Sequence, residues 1–355
     1  MSRVNKVLRV RQIPEVGRRK LLKGVTGIAV ALARRGSLAT MAGTAVLAAG
    51  AQGRADDGSW PNRPVRFIVP LAAGGGLDFV ARVVGERVAR EIGQQVVIEN
   101  RTGAGGTIGI DTAIKSAPDG YSVLVTNDNV ASAPHVLGLN VDYLKELLPV
   151  AALGLQPQAL AVHPSLERVN SVTDLVARVK ERPGMGCATS GVGSNQHVLL
   201  AWFARDAQIK LEHVPYRGAG QAINDVLAGH VQVAFLGPTA LLPQYKAGKL
   251  RLLAQTGRVR SRSLPEVPTL EESGFPGLVL ESWYAAFVPL GTPPALIARL
   301  NAAIGKALAN SGTRAHFDES ATEVAGGLPE DLARLAREDF DKYARLVKEL
   351  NIRPN

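Results

Sequence analysis

Apolar and polar positions fall into two rhythms that alternate along most of the chain. The run Val65-Arg66-Phe67-Ile68-Val69 is apolar and β-branched, and it stops at Pro70, which predicts a strand. In residues 78–92 the side chains of Phe79, Val80, Val83, Val84, Val88 and Ile92 recur at helical spacing, and Gly93 supplies a stop. Residues 95–99 and 122–125 read as further strands, with a helix over 108–115 between them. The rhythm then restarts. Strands are predicted at 160–162, 186–189, 211–214, 231–235 and 250–255, interleaved with helices at 171–182, 196–207, 220–228 and 241–247. Two amphipathic helices, 294–309 and 330–350, joined through 324–328, make the tail. Strands alternating with helices imply an α/β fold of βαβ units around mostly parallel sheets. The two halves predict two α/β lobes: 56–160, then 161–280, with 281–355 returning to the first. A ligand cleft would lie at the carboxyl ends of the strands.

Charge changes this picture only at the amino end. The 355 residues carry a formal charge of +10. Residues 1–55 hold eleven Lys and Arg against the single acid Glu15, and the remaining 300 residues balance at thirty of each sign. A nucleic-acid binder needs its surplus of bases on the folded domain, so that class of partner is excluded. The first 55 residues instead read as an export signal: bases first, then small apolar residues over 24–33 and 37–50, then a small-residue region. Arg18-Arg19-Lys20-Leu21-Leu22-Lys23 resembles a twin-arginine signal, whereas Arg34-Arg35 could head a shorter ordinary one. Gly53-Arg54-Ala55 and Ala49-Gly50-Ala51 both fit a cleavage site. Neither apolar run reaches the ~20 residues that span a bilayer. The expected location is the periplasm. The one cysteine, Cys187, cannot form an internal disulfide and reads as a small buried apolar residue.

Candidate chemistry sits in two loops. Pro70-Leu71-Ala72-Ala73-Gly74-Gly75-Gly76-Leu77-Asp78 places three glycines between a strand and a helix. Such a loop lets backbone approach a ligand closely, and the helix start behind it offers unpaired N–H groups and partial positive charge. It is either an anion site or simply a tight turn. Thr189-Ser190-Gly191-Val192-Gly193-Ser194-Asn195-Gln196-His197 repeats the logic and adds hydroxyls and an amide. Facing one cleft, the two loops would hold a carboxylate without Arg or Lys, with His197 either capping the loop or touching the ligand. No P-loop, HExxH or GxSxG motif occurs, residues 103–109 do not fit G-x-G-x-x-G, and the six His lack metal-ligand spacing. No cofactor or metal is implied. Ser194 with His197, at i and i+3, leaves a periplasmic hydrolase as the alternative reading.

Several short motifs, in order, carry a family resemblance. They include Trp60-Pro61, Pro64 to Pro70 with the loop ending at Asp78, Glu99-Asn100-Arg101, Ala117-Pro118-Asp119-Gly120-Tyr121 and His163-Pro164-Ser165-Leu166. His213-Val214-Pro215-Tyr216-Arg217-Gly218, Ala247-Gly248-Lys249-Leu250-Arg251, Pro265-Glu266-Val267-Pro268-Thr269, Glu272-Ser273-Gly274 and Gly291-Thr292-Pro293 come after them. Together, over residues 60–355, they resemble the substrate-binding proteins of tripartite tricarboxylate transporters, the Bug family. The resemblance implies a type II periplasmic-binding-protein fold, two lobes with a hinge, and a non-enzymatic, monomeric receptor. Its implied partners are a small carboxylate and the membrane subunits of a transporter, or a sensor. In the family the two loops clamp one carboxylate, partly through bound water. Carried over, those positions are Ala73, Gly74, Gly75, Asp78, Ser190, Gly191, Ser194 and His197, with Asn127, Ser282 and Trp283 as further cleft positions. Leu77 stands where the family usually has Thr, and Leu236 where it usually has a polar or small residue. Both departures suggest a more apolar pocket and a monocarboxylate with an apolar body.

Overall fold

The computed structural model describes residues 60–352; the predicted export leader, 1–55, lies outside the described residues. Two sheets organise the chain. The first carries β1 (Val65–Val69), β2 (Val96–Asn100), β3 (Ser122–Asn127), β4 (Leu147–Pro157), β10 (Glu281–Pro289) and β11 (Glu323–Gly326), in the order β11-β4-β10-β3-β1-β2. The second carries β5 (Ala159–Val162), β6 (Met185–Thr189), β7 (Leu211–Pro215), β8 (Val233–Leu236) and β9 (Arg251–Gln255), in the order β7-β6-β8-β5-β9. β1 pairs in parallel with β2 and β3, and β6 with β7 and β8. The remaining pairs, all involving β4, β5 or β10, are antiparallel. The mostly parallel expectation is therefore corrected to mixed sheets. β4, β5 and β10 carry the chain between the sheets, so their sheet neighbours are reached by longer excursions rather than by the single βαβ crossover that joins adjacent parallel strands.

The helices arise from local chemistry. In α1 (Gly76–Ile92) the residues Leu77, Val80, Ala81, Val84 and Val88 form one buried stripe, and Gly93 ends the helix with φ of 69°. α4 (Val172–Glu181) opens on a capping box: the Ser171 hydroxyl accepts from Asp174 N, and the Asp174 carboxylate accepts from Ser171 N. α2 (Thr107–Ile114), α3 (Asn129–Val136), α5 (Asn195–Asp206), α6 (Ala219–Leu227) and α7 (Pro238–Lys246) complete the crossovers. The tail forms α8 (Pro294–Ala309), α9 (Ser311–Glu319) and α10 (Pro329–Glu349). α8 lies against α1 and β4, and α10 against α3 and β4, so the tail folds back on the first sheet. Along α10 the buried residues Leu332, Ala336, Asp339, Tyr343 and Leu346 fall every three or four positions. No helix among the described residues is long and apolar enough to cross a membrane.

The sheets are joined by two crossings. One is the short step from β4 through Gln158 to β5; the other runs from β9 to β10. They are laced together: Gln158 N donates to Thr256 Oγ1 at 2.8 Å, Thr256 N to Gln158 O at 2.9 Å, and Thr256 Oγ1 to Leu280 O at 2.6 Å. Cys187 is buried in the core and free, and burial pushes its thiol up to about 12, so it stays a protonated apolar side chain.

Candidate functional site

The two glycine-rich loops meet where the sheets' helix-bearing ends converge. Gly74 has φ of +85°, a left-handed conformation that favours glycine, and it turns its N–H onto the Asp78 carboxylate at 3.1 Å. Asp78 also accepts from Arg82 at 2.9 and 3.0 Å and from Asn100 Nδ2 at 3.0 Å. Burial alone would raise its pKa, but these hydrogen bonds outweigh it and hold the carboxyl below the ordinary value. Asp78 is thus an ionised brace for the loop. The first turn of α1 has no side-chain cap, so its amide N–H groups remain available to a ligand.

Beside that turn lies an inner cavity of about 30 Å³, bordered by Leu71, Ala72, Gly75, Gly76, Leu77, Asn127, Gln156, Gln158, Ser190, Gln196, Gly218, Ala219, Gly237, Ser282 and Tyr284. None of these side chains is an acid or a base. Leu71 and Ser190 also border a larger outer cavity of about 580 Å³, which reaches Gly103–Gly106, Leu137, Gly191, Val192, Tyr216 and Arg217. The walls have closed on each other. Ser132 Oγ donates to Gly193 O at 2.6 Å, and Gln156 Nε2 to Thr239 Oγ1 at 2.8 Å. Gly105 (φ +65°) is so near the opposite loop that a Cβ there would sit 2.6 Å from Val192 O.

The polar lining of the inner cavity is wired in a fixed direction. Gln156 Nε2 donates to the Ser320 carbonyl at 2.7 Å, which fixes the orientation of the amide, and its Oε1 accepts from the Tyr284 hydroxyl at 2.7 Å. Ser282 Oγ donates to Asp128, whose other carboxylate oxygen accepts from Tyr343 Oη. Burial pushes Asp128 up to about 6 against the opposing pull of these two hydroxyls. Ser190 Oγ donates to Gln196 Oε1 at 2.7 Å, and Gln196 Nε2 to Gln158 Oε1 at 2.6 Å. Asn127 Oδ1 is buried without a partner.

The structure sorts the sequence-predicted residues. Gly75, Asn127, Ser190 and Ser282 line the inner cavity, and Ser190 and Gly191 the outer one. Ala73, Gly74, Asp78, Ser194, His197 and Trp283 border neither. Trp283 lies between Ser282 and Tyr284 on a strand whose side chains alternate, so it points the other way and donates to Asp339 at 2.7 Å. Ser194 caps α5: its hydroxyl accepts from His197 N at 3.3 Å and donates to Gly191 O at 2.6 Å. Its proton faces a carbonyl rather than the imidazole, so the nucleophile–base pair of the hydrolase reading is not assembled. His197 stacks on His213 at 4.0 Å with an 11° interplanar angle. Burial lowers His197 to about 4, and burial together with His197 lowers His213 to about 3, so the pair is neutral. Leu77 does border the inner cavity, but Leu236 packs into the core of the second sheet. Amides and hydroxyls share the inner cavity's lining with Leu71, Ala72, Leu77 and Ala219, so of the two departures only Leu77 adds apolar surface there. Gln156, Gln158 and Tyr284 escaped the sequence reading, and Gln196 lay within the second loop without being singled out as a site residue. Gln156 and Gln158, interrupting an apolar run over 147–162, were the available signal.

The fold and the site define a two-lobed solute-binding protein, closed around a small polar cavity. Residues 80–352 match the family described as "Tripartite tricarboxylate transporter family receptor", and the chain belongs to that family. It is 34% identical to Protein BugT of Bordetella pertussis over 298 residues, covering 82% of this chain and 90% of that one. Among solved structures it is similar to the periplasmic binding protein BugD, with a TM-score of 0.79 at 28% identity, over 83% of this chain and 99% of the other. A Rhodopseudomonas palustris protein solved with adipate, "R. palustris Rpa4515 with adipate", gives a TM-score of 0.80 at 30% identity, over 83% and 100%. Among the described residues no group of three His, Cys, Asp or Glu side chains could hold a metal ion.

Proposed function

We propose that this chain is an exported periplasmic receptor that closes its two lobes on a small carboxylate and delivers it to the membrane subunits of a tripartite tricarboxylate-type transporter. The observation that carries the reading is the uncapped first turn of α1 beside a charge-free cavity of amides and hydroxyls, to which both sheets contribute. Helix-terminal N–H groups and neutral donors hold an anion without a counter-charge. A ligand touching both lobes favours the closed state by its differential affinity for it. The adipate in a relative's structure supports an aliphatic carboxylate class. In this reading residues 1–55 direct export, 56–160 with 281–355 form one lobe and 161–280 the other. The receptor works as a monomer, binds without turnover, and Gly75, Ser190, Asn127 and Ser282 are the predicted positions at the ligand.

Thermal unfolding of the purified protein against carboxylates, amino acids and sugars tests this. A ligand at 100 times its Kd raises the midpoint by about 4 °C or more for a domain this size. A response confined to carboxylates supports the reading; a flat carboxylate panel with a sugar responding overturns it.

A further inference from the structure

Behind the part of the inner cavity's wall that carries Ser282 stands a fully buried acid, Asp128, just ahead of α3. One of its carboxylate oxygens accepts from Ser282 Oγ and the other from Tyr343 Oη. Ser282 borders the cavity, on the same side of its strand as Tyr284. The groups that act on Asp128 are the Ser282 hydroxyl of β10, the Tyr343 hydroxyl and Asp339 carboxylate of α10, and its own backbone. Asp339 is itself held by Trp283 Nε1 at 2.7 Å and Lys342 Nζ at 3.4 Å, and the Tyr284 hydroxyl by Gln156 at 2.7 Å. Among the described residues no Lys, Arg or His pairs with Asp128. Burial already pushes it up to about 6.

An anionic ligand changes this balance. With a volume of about 30 Å³, the cavity gives a carboxylate on the α1 amides no position remote from Ser282. A single hydroxyl then separates two negative groups, and two carboxylates so near in a water-poor interior strengthen each other's hold on a proton. The hydrogen bonds follow the same logic. Ionised Asp128 can only accept, so the one proton of Ser282 is committed to it and the Ser282 oxygen turns lone pairs toward the ligand. Protonated Asp128 can donate to Ser282 Oγ, which frees the Ser282 proton for the ligand oxygen, while Tyr343 goes on donating to the other oxygen of Asp128. We propose that the receptor takes up one proton from solvent with its carboxylate, that Asp128 holds it, and that Ser282 reverses its hydrogen bond to donate to the ligand. This rests on the carboxylate reading of the cavity. The proton enters on binding and returns to solvent on release, and Asp128 acts through Ser282 without touching the ligand. Affinity is therefore highest where ligand-free Asp128 already carries its proton, and it falls by up to tenfold per unit as pH rises above that value.

Calorimetric titration with adipate, malate and propionate, each in two buffers of different ionisation enthalpy, counts the protons exchanged. These ligands have lost their own protons by about pH 6.5, so uptake above that value belongs to the protein. The expected result, for whichever of them binds most tightly, is uptake approaching one proton per ligand between about pH 6.5 and 8, with affinity falling by up to tenfold per unit over the same range. In Asp128→Asn the amide nitrogen takes the place of the carboxyl proton as donor to Ser282. Uptake should vanish there, and affinity at about pH 8 should equal or exceed the parent's, which structural damage does not produce. Asp339→Asn, which removes the other buried acid, should keep the uptake. Zero exchange over this range in the parent, release of protons, or uptake that survives in Asp128→Asn overturns the proposal and leaves a carboxylate receptor standing. Failure of every carboxylate, with another ligand class responding, overturns the functional reading beneath it.

Discussion

The hydroxyl of Tyr284, on the strand that returns to the first sheet, donates to Gln156 on the neighbouring crossing strand at 2.7 Å, and this pair closes over Gly76. A Cβ on Gly76 would stand 2.5 Å from Tyr284 Oη, 3.1 Å from Thr239 Oγ1 and 3.4 Å from Gln156 Oε1. Gly76 opens α1, Thr239 belongs to α7 beside the second sheet, and the Gln156–Thr239 hydrogen bond ties the two. The missing side chain at Gly76 leaves room for the Tyr284 hydroxyl within the first sheet's layer and for the Gln156–Thr239 contact between the two sheets.

Gly76→Ala puts this to the test. The residue has ordinary helical geometry, so alanine costs the isolated helix nothing and even favours it. The closest approach, 2.5 Å to Tyr284 Oη, lies within the first sheet's own layer and exists whether the lobes are open or closed, while the 3.1 Å approach to Thr239 arises only where α7 of the second sheet comes in. The expected outcome is a ligand-free thermal midpoint lowered by several degrees, since overpacking costs about 1–3 kcal/mol, together with ligand affinity reduced about tenfold. Calorimetry and a melt of the same sample check both. A midpoint and an affinity both like the parent's would mean that the Tyr284 hydroxyl moves aside at no cost.

Asp78 gives a second prediction. Its carboxylate organises the first loop through Gly74 N, Arg82 and Asn100 without bordering either cavity. Asp78→Ala leaves Gly74 N without its acceptor and Asn100 Nδ2 with the Leu71 carbonyl alone, a loss of roughly 1–3 kcal/mol. Since its folded pKa lies below the ordinary 3.8, the contribution is complete at neutral pH and fades as pH falls through the folded value. Denaturant melts at pH 7 and pH 3 should show the gap between parent and variant shrinking in acid. Binding should weaken because the loop loses its shape; a variant that binds like the parent would show the brace to be dispensable.

How far the sequence anticipated this depends on which force wrote each element. β1 and α1 were legible because one face of each meets the core, giving a period that can be counted. The stretch 128–157 gave no assignment. α3 is Asn-Val-Ala-Ser-Ala-Pro-His-Val, nearly all buried, with Pro134 inside it, and β4 is an 11-residue strand buried along most of its length. An element buried on every side has no polar face to mark its period. The site divides in the same way. Its loops showed as glycines between strand and helix, a local signal. Gln156, Gln158 and Tyr284 reach the α1 terminus only through the crossing strands, and pairing between residues 128 positions apart leaves no local trace. Asp78 and Ser194 were expected at the ligand, but their oxygens are engaged within the protein: Asp78 by Gly74 N, Arg82 and Asn100, and Ser194 by His197 N and Gly191 O.

The last prediction concerns Asp128, which sits behind Ser282 with Tyr343 on its other oxygen and the Asp339 carboxylate nearby. Burial raises it from 3.8 to about 6. The native state therefore keeps this proton over a range where the unfolded chain has already released it. The resulting stabilisation is complete below about pH 4 and is lost as pH rises through 6. A shift of about two units corresponds to roughly 3 kcal/mol. The neutral His197–His213 pair acts in the opposite sense: its depressed values make the native state lose stability as pH falls below about 6.5. The two partly cancel in the parent, so the useful quantity is a difference. Asp128→Asn removes one side of the balance, and the stability of parent minus variant should fall between pH 4 and pH 6 and stay level above pH 7. Urea melts at half-unit intervals measure it. A difference flat across that range would mean that Asp128 keeps its charge in the folded protein, held by Ser282 and Tyr343 more strongly than burial opposes it.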